Sequence, residues 1–456
     1  MDLERPSSTS PADPPLPWID ILPNELLSYI FILTIPPAGA TFQGGSISSQ
    51  AVLLSHTSPR WRSVALDCPL IWATLTITPI GVGFQVYEEP LMLHVSRAQE
   101  VPLSLEVHLY TSPRQDVSPH KGLFTFIAEH ARRIRHFELA CLAATVWEET
   151  LDTMREFMLR DKEWIDAVTA EDQQSSSGLV LPMESLVFSL TAYGIDDLAR
   201  MAKSIRGFSF PGLKTLSITY HEFGRTFTRD WALPWSQLTS LTFRCHDDAD
   251  VPHILSSCPN LKSLSIALGD TIQYNERTPV WVTSRVETVL SELTELTLCI
   301  ANDIPAYRAM TGLVNLLLCP AITSLSLTHE YESGISFYDR EDHDGILVQN
   351  VVDSYLDGVV TFLSQRSKCI RTLTYLRIAD MLVTARSLKR LLQTLTSLTE
   401  VEFVVHDDSD DEENDFSDVQ SLDESFFLDE APENSHLRGI RQFLKGECRM
   451  VDVRWE

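Results

Sequence analysis

A short apolar motif, apolar-x-x-apolar-x-apolar, recurs nine times along this chain and constrains its fold more than any other feature. The copies begin at Ile134, Met183, Leu213, Leu238, Leu261, Leu293, Ile322, Leu373 and Leu398. The last two apolar residues of each copy flank a single residue, which is typical of a short strand with one buried face. Leu241 follows Leu216 by 25 residues and precedes Leu264 by 23. This spacing predicts one strand and one helix per unit, so most of the chain should form one α/β array.

The motif resembles the leucine-rich repeat, L-x-x-L-x-L-x-x-N/C-x-L, over roughly residues 130–405. The resemblance implies an α/β solenoid, a horseshoe with parallel strands on its concave face. Two departures predict an irregular solenoid with insertions. The spacing grows to 32 residues between Leu264 and Leu296 and to 51 between Leu325 and Leu376, and the Asn of regular repeats is missing. The alternative is an ordinary α/β domain whose strands happen to alternate.

A different pattern precedes the repeats. It consists of LPNELLSYIF from Leu22, SPRWRSVAL from Ser58 and CPLIW from Cys68, with a Gly/Ser-rich stretch at 36–49 between the first two. Pro23 stands at the first turn of a predicted helix, where its missing N–H is harmless. Apolar residues then follow along one helical stripe, namely Leu22, Leu26, Ile30 and Leu33.

These three segments resemble the F-box, a small all-α module with an LP-x-E-L/I-L-x-x-I-F helix, a variable loop, a second helix ending near a Trp-Arg pair and a P-x-x-W turn. The resemblance implies binding to the Skp adaptor of a cullin-based ubiquitin ligase. The adaptor-binding residues that it implies are Leu22, Pro23, Glu25, Leu26, Ile30, Phe31 and Trp61. The alternative is that these apolar residues form the private core of a small helical unit, which with fewer than about 60 residues would bury little surface.

The sequence predicts six regions. They are a disordered Pro/Ser-rich tail at 1–17, the F-box-like module at 18–77, a connection with the first solenoid elements at 78–130, the irregular repeats at 131–405, an acidic flexible insert at 406–434, and a cap helix and strand at 435–456. Within the repeats, an insert at 143–182 with Val146, Trp147 and Leu151 at helical spacing should lie over the solenoid surface.

Nearly half of the net charge of −27 lies in one segment. Between Asp407 and Glu430 there are 12 acidic residues and no Lys or Arg, which predicts a solvated loop. A docking or phosphorylation role for Ser409, Ser417 and Ser421 is the alternative. The acidic balance argues against nucleic-acid and anionic-membrane partners, and no apolar run approaches the length that spans a bilayer.

No nucleotide-binding, hydrolase or zinc-protease motif occurs in the sequence, so we expect no enzyme, cofactor or metal site. The eight cysteines are scattered singly, which predicts buried free thiols and a cytoplasmic or nuclear protein. The best metal-like cluster, at 246–253, directly follows a predicted strand, where a solvated loop is the simpler interpretation.

Together these patterns predict a non-catalytic substrate-recognition subunit of an SCF-type ubiquitin ligase, whose protein substrate is unknown. The repeats would bind that substrate through side chains between the apolar strand positions. These are Ser217, Thr219, Thr242, Arg244, Ser265, Thr297, Ser326, Thr328, Arg377 and Glu402. The competing hypothesis is a leucine-rich-repeat interaction scaffold whose F-box-like helices only cap its N-terminal end.

Overall fold

The structure is a computed structural model, and it describes residues 18–80, 82–109, 120–141, 144–160, 179–190, 202–220, 231–245, 251–268, 287–301, 304–330, 345–379 and 385–404. The predicted tail at 1–17, acidic insert at 406–434 and cap at 435–456 lie outside these residues. The chain divides into two compact units, Met1–Leu105 and Glu106–Glu456. The division falls within the segment 78–130 that the sequence predicted as a connection.

The first unit combines helices with short strands. Its elements are α1 (Asn24–Thr34), β1 (Ala40–Gln43), β2 (Ser46–Ser48), α2 (Gln50–Thr57), α3 (Pro59–Leu66), β3 (Thr74–Thr78), α4 (Gln85–Arg97) and the start of β4 (Leu103–Leu109). Ser58 caps α3 by accepting the backbone N–H of Trp61 at 3.1 Å, and Pro59 occupies the first turn. The second predicted helix is therefore two helices with a break at Ser58.

The prediction of an all-α N-terminal module is wrong at the Gly/Ser-rich stretch. β1 and β2 pair there as an antiparallel hairpin, and β1 also pairs in parallel with β3. Gly44 and Gly45 form the two-residue turn with φ of 53° and 85°, the left-handed values that a tight hairpin requires. The inward-facing residues Ala40 and Phe42 are buried. The Gly-Gly pair, between two short alternating segments, was the sequence signal for this hairpin.

The second unit alternates helices with strands. Its helices are α5 (Lys121–His130), α6 (Ala144–Arg160), α7 (Val251–Ser256), α8 (Ile304–Leu316), α9 (Gly345–Thr361) and α10 (Ala385–Thr394). Its strands are β5 (Ile134–Cys141), β6 (Leu179–Val180), β7 (Ser185–Leu190), β8 (Phe208–Ser209), β9 (Thr215–Tyr220), β10 (Ser240–Cys245), β11 (Ser263–Leu268), β12 (Thr288–Val289), β13 (Glu295–Ala301), β14 (Leu317–Leu318), β15 (Ser324–Glu330), β16 (Tyr375–Ala379) and β17 (Glu400–Val404).

Thirteen strands form one mostly parallel sheet, in the order β17-β16-β15-β13-β11-β10-β9-β7-β5-β4-β3-β1-β2. From β5 to β17 each strand pairs in parallel with its neighbour in the sheet. All nine motif copies lie on these strands, so the predicted α/β class and the parallel direction are confirmed. The remaining strands pair as two short parallel sheets, β6 with β8 and β12 with β14.

The strand register aligns equivalent motif positions with one another. The aligned residues at the fourth motif position include Leu186, Leu216, Leu241, Leu264, Leu296, Leu325, Leu376 and Val401. Each of these side chains is at most 2% exposed. Burial of one such side chain stabilises the fold by about 1.5–3 kcal/mol. The repeated motif therefore builds a continuous apolar column across the sheet.

A ladder of threonine hydroxyls joins successive copies at the second motif position. The carbonyl oxygen of Thr323 accepts the backbone N–H groups of Thr374 and Tyr375 at 2.9 and 3.1 Å, and also the hydroxyl of Thr374 at 3.2 Å. The hydroxyls that donate in this way to the preceding copy belong to Thr239, Thr294, Thr323, Thr374 and Thr399. The chain lacks the ladder Asn of regular leucine-rich repeats, and these threonines supply a side-chain ladder of their own.

The helix predicted at 143–182 is α6, and it is amphipathic as predicted, with one side buried and the other exposed. Trp147 is fully buried, with its ring centroid 5.9 Å from that of Phe137 on β5 and 4.3 Å from that of Phe188 on β7. Val146 and Met154 are also fully buried. α6 therefore connects two neighbouring strands and packs its apolar side against them.

Candidate functional site

Helix α1 has a buried face and an exposed face, and both are apolar. Leu27 and Phe31, one turn apart, are fully buried. Leu26, Tyr29 and Leu33 share the other side of the helix and are 51%, 59% and 66% exposed. A helix at the surface of a soluble domain normally carries polar residues there. The α1 apolar face (Leu26, Tyr29 and Leu33) is thus surface that the described residues do not cover.

Two consecutive residues of α3 hold α1 in place. The side chain of Trp61 packs against Phe31 with ring centroids 5.0 Å apart. Arg60 donates hydrogen bonds to the backbone oxygen of Leu22 and to Asn24 Oδ1, the latter from Nη2 at 3.1 Å. Charge-assisted hydrogen bonds to the start of a helix restrict its orientation. The α1 apolar face is therefore presented on a fixed helix.

Further exposed apolar residues lie elsewhere in the first unit. Among the described residues, 11 of the 13 large hydrophobic side chains that are exposed belong to it. Besides the α1 apolar face they are Ile21, Ile47, Leu53, Leu70, Ile80, Val86, Met92 and Leu93. Single exposed apolar residues are ordinary, so the candidate interaction surface is the α1 apolar face, whose three members adjoin on one helix.

The predicted adaptor-binding residues divide into three groups. Pro23, Glu25 and Leu26 are exposed, whereas Leu22, Ile30 and Trp61 are half-buried. Phe31 is fully buried, so the prediction that it contacts a partner is incompatible with its position. Sequence reasoning missed Ile21 and Tyr29, and it placed Leu33 on the apolar stripe without assigning it to binding. The signal for Tyr29 and Leu33 was helical spacing relative to Leu26, whereas Ile21 precedes α1 and had no such signal.

The predicted substrate-binding residues lie on the polar face of the sheet. Seven of them occupy one row in register, namely Ser217, Thr242, Ser265, Thr297, Ser326, Arg377 and Glu402. Thr219, Arg244 and Thr328 lie two residues further along their strands. All ten side chains are half-buried. This polar row is uncharged from β9 to β15, so hydroxyl groups dominate its centre.

Charged side chains mark the β16–β17 end of the polar row. Tyr375 donates a short hydrogen bond to Glu402, and Arg377 Nε lies 3.9 Å from the same carboxylate. Burial, together with the bond to Glu402, raises the pKa of Tyr375 to about 12. The tyrosine is therefore a neutral hydrogen-bond donor at physiological pH.

A second titratable cluster lies on β4 and β5, beyond the β9 end of the polar row and separated from it by β7. It consists of Glu106, His136 and Glu138, each half-buried. One ligand atom of each residue lies within 4.8 Å of those of the others. This is the one cluster of three such residues found in the described part of the chain. The predicted metal-like cluster at 246–253 lies mostly outside that part.

The cysteine thiols are free, as predicted, where the structure describes them. Cys68, Cys141, Cys258, Cys319 and Cys369 are buried, and Cys299 is half-buried. Burial raises the pKa of Cys258 to about 12 and that of Cys369 to about 11. A nucleophilic thiol needs the opposite shift, so these two cysteines are structural.

Comparisons with known proteins assign no family to the chain, so its function has to be argued from this geometry. No protein-family model matches the chain, and no curated protein is significantly similar to it. Among the described residues, no helix combines the length and the apolar character that crossing a bilayer requires.

Proposed function

We propose that this chain is the substrate-recognition subunit of an SCF-type cullin–RING ubiquitin ligase, and that its F-box-like first unit binds a Skp-type adaptor. The observation that carries the proposal is the α1 apolar face. It lies within the segment that resembles the F-box, and Phe31 and Trp61 fix its helix from the buried side. An adaptor that covers Leu26, Tyr29 and Leu33 would remove apolar surface from water, the main driving force of protein association.

The second unit would act as an irregular leucine-rich-repeat solenoid that holds the substrate. Parallel strands in register, one for each motif copy, support this assignment. The polar row would contact the substrate mainly through hydroxyl groups, with ionic contacts near Arg377 and Glu402. Such a subunit needs no catalytic residues of its own, because it accelerates ubiquitin transfer by holding the substrate close to another enzyme that carries the ubiquitin.

The competing function is an interaction scaffold whose first unit only caps the repeats. Deletion of residues 1–80 would remove three strands under either hypothesis. Surface substitutions that leave the sheet intact therefore separate the two functions better than a truncation does.

The experiment is co-purification of the full chain with a Skp-type adaptor, using a Leu26→Asp/Leu33→Asp variant. Both residues are exposed, so the charges should leave the fold intact, whereas the half-buried Ile30 would be a poorer choice. We expect the variant to lose the adaptor and to keep the circular dichroism spectrum of the wild type. The matched control is Leu159→Asp/Val289→Asp, two residues of the second unit that are 55% and 58% exposed.

The outcomes distinguish the hypotheses. Loss of the adaptor in the α1 variant, together with its retention in the control, supports the ligase subunit. A wild-type chain that fails to bind adaptor, or an α1 variant that binds as well as the wild type, would refute it and leave the scaffold as the better description.

A further inference from the structure

Four titratable side chains share the polar face at the β4–β5 end of the sheet. Glu106 and His108 alternate with buried residues on β4, and His136 and Glu138 do the same on β5. Because side chains two residues apart on a strand point to the same face, each strand contributes one carboxylate and one imidazole there. All four belong to the second unit.

Strand β7, the neighbour of β5, places no charged side chain opposite His136 or Glu138. In the register of β7, Ser185 pairs with His136 and Val187 pairs with Glu138. The charges that act on Glu138 are instead those of Glu106, His108 and His136. Two carboxylates are thus held close together in a half-buried setting, an arrangement that a divalent cation between them would stabilise.

The separations match a metal ion of ordinary size. Zinc binds imidazole nitrogen and carboxylate oxygen at about 2.0–2.2 Å, so a tetrahedral site places its ligand atoms about 3.3–3.6 Å apart. The ligand atoms of Glu106, His136 and Glu138 lie within 4.8 Å of one another, so side-chain rotation without backbone movement would close the site. A mixed nitrogen and oxygen ligand set favours zinc over magnesium or calcium, which prefer oxygen alone.

We propose that Glu106, His136 and Glu138 bind one divalent transition-metal ion, with Zn²⁺ as the best match. Three protein ligands leave one coordination position for water or for a side chain of a bound polypeptide, as in open zinc sites. The ion would join β4 to β5, beyond the β9 end of the polar row and separated from it by β7. The proposal stands on these residues alone and is independent of the ligase function. It also departs from the sequence expectation of no metal site.

The experiment titrates the purified full chain with Zn²⁺ in competition with a chromophoric chelator, and then with Co²⁺, whose visible spectrum reports ligand type and geometry. We expect one tight site and the absorption of a four- or five-coordinate Co²⁺ ion. The variants His136→Ala and Glu138→Gln should each weaken the binding at this site by at least about tenfold. The control is His253→Ala, which removes an exposed histidine on α7 far along the sequence from the cluster.

Comparison of variants excludes the other histidines and the acidic segment as the source of binding. Equal Zn²⁺ affinity in the wild type and both cluster variants would overturn the proposal, as would absence of tight binding in the wild type. Glu138→Gln keeps the size of the side chain, so it remains informative if His136→Ala fails to fold.

Discussion

The hydroxyl group of Ser49 lies 2.9 Å from Nε2 of the buried His94. The Pro90 carbonyl oxygen, 2.8 Å from Nδ1, can only accept a hydrogen bond, so Nδ1 carries the proton and Nε2 accepts from Ser49. Ser49 in turn accepts the backbone N–H of Val52 at the start of α2. A neutral imidazole therefore links α4 to the N-terminus of α2.

This contact predicts a loss of stability at acidic pH. Burial lowers the pKa of His94 below its ordinary value of 6.5. Below that value the unfolded state binds a proton that the folded state resists, so the stabilisation is complete above pH 6.5 and is lost as the pH falls. Urea midpoints measured at about pH 5.5 and about pH 7.5 should differ more for the wild type than for His94→Gln. Equal differences would show that His94 is not the responsible group.

The two faces of α1 should respond differently to truncation. Phe31→Ala empties a fully buried site beside Trp61 and should lower the free energy of unfolding by about 3–5 kcal/mol. Leu26→Ala, on the exposed side of the same helix, should change it by less than about 0.5 kcal/mol. Urea denaturation followed by tryptophan fluorescence measures both. Similar costs for the two variants would contradict the assignment of the faces.

Two of the three glycines in the 36–49 stretch make a second matched pair. Gly39 has a φ of 63°, and an added Cβ atom would overlap the carbonyl group of Thr74. Gly44 has a φ of 53° but has open space around it. Gly44→Ala should therefore cost only the left-handed backbone penalty of about 1–2 kcal/mol, whereas Gly39→Ala should cost clearly more. Thermal unfolding of the two variants provides the comparison, and an equal shift would argue against the close approach at Thr74.

The threonine ladder should contribute modestly at each step. Thr323→Val and Thr374→Val keep the shape of the side chain but remove a hydroxyl that donates to the preceding copy. Because both sites are exposed, each substitution should destabilise the chain by about 0.5 kcal/mol, at the low end for a hydrogen bond. Thr323→Ser and Thr374→Ser keep the hydroxyl and serve as controls. Urea midpoints of the double variants test this, and equal midpoints for the Val and Ser pairs would contradict it.

Short-range patterns predicted the elements well wherever one residue spacing dominated. The nine motif copies identified every long strand from β5 to β17, because apolar alternation directly reflects burial on one sheet face. The helical spacing of Val146, Trp147 and Leu151 identified α6. The same spacing grouped Leu26 with Ile30 and Leu33 on α1.

What the sequence did not predict depends on contacts between distant residues. The periodicity of α1 could not show which side faces the core, because that depends on Trp61, 30 positions beyond Phe31. The pairing of β1 with β3 likewise joins segments that are far apart in the sequence. Glu106 and His136 are separated by 30 residues, so no local motif could reveal that they meet.

The threonine ladder has a consequence for how this chain can vary. Each strand is aligned by hydrogen bonds to the copy immediately before it, whether the intervening connection is short, as from Leu241 to Leu264, or long, as from Leu325 to Leu376. The alignment of each strand therefore depends on the preceding copy and not on the length of the loop that connects the two. Insertions can accumulate in the connections while the polar row keeps its order, so its side chains can change one at a time without any loss of register.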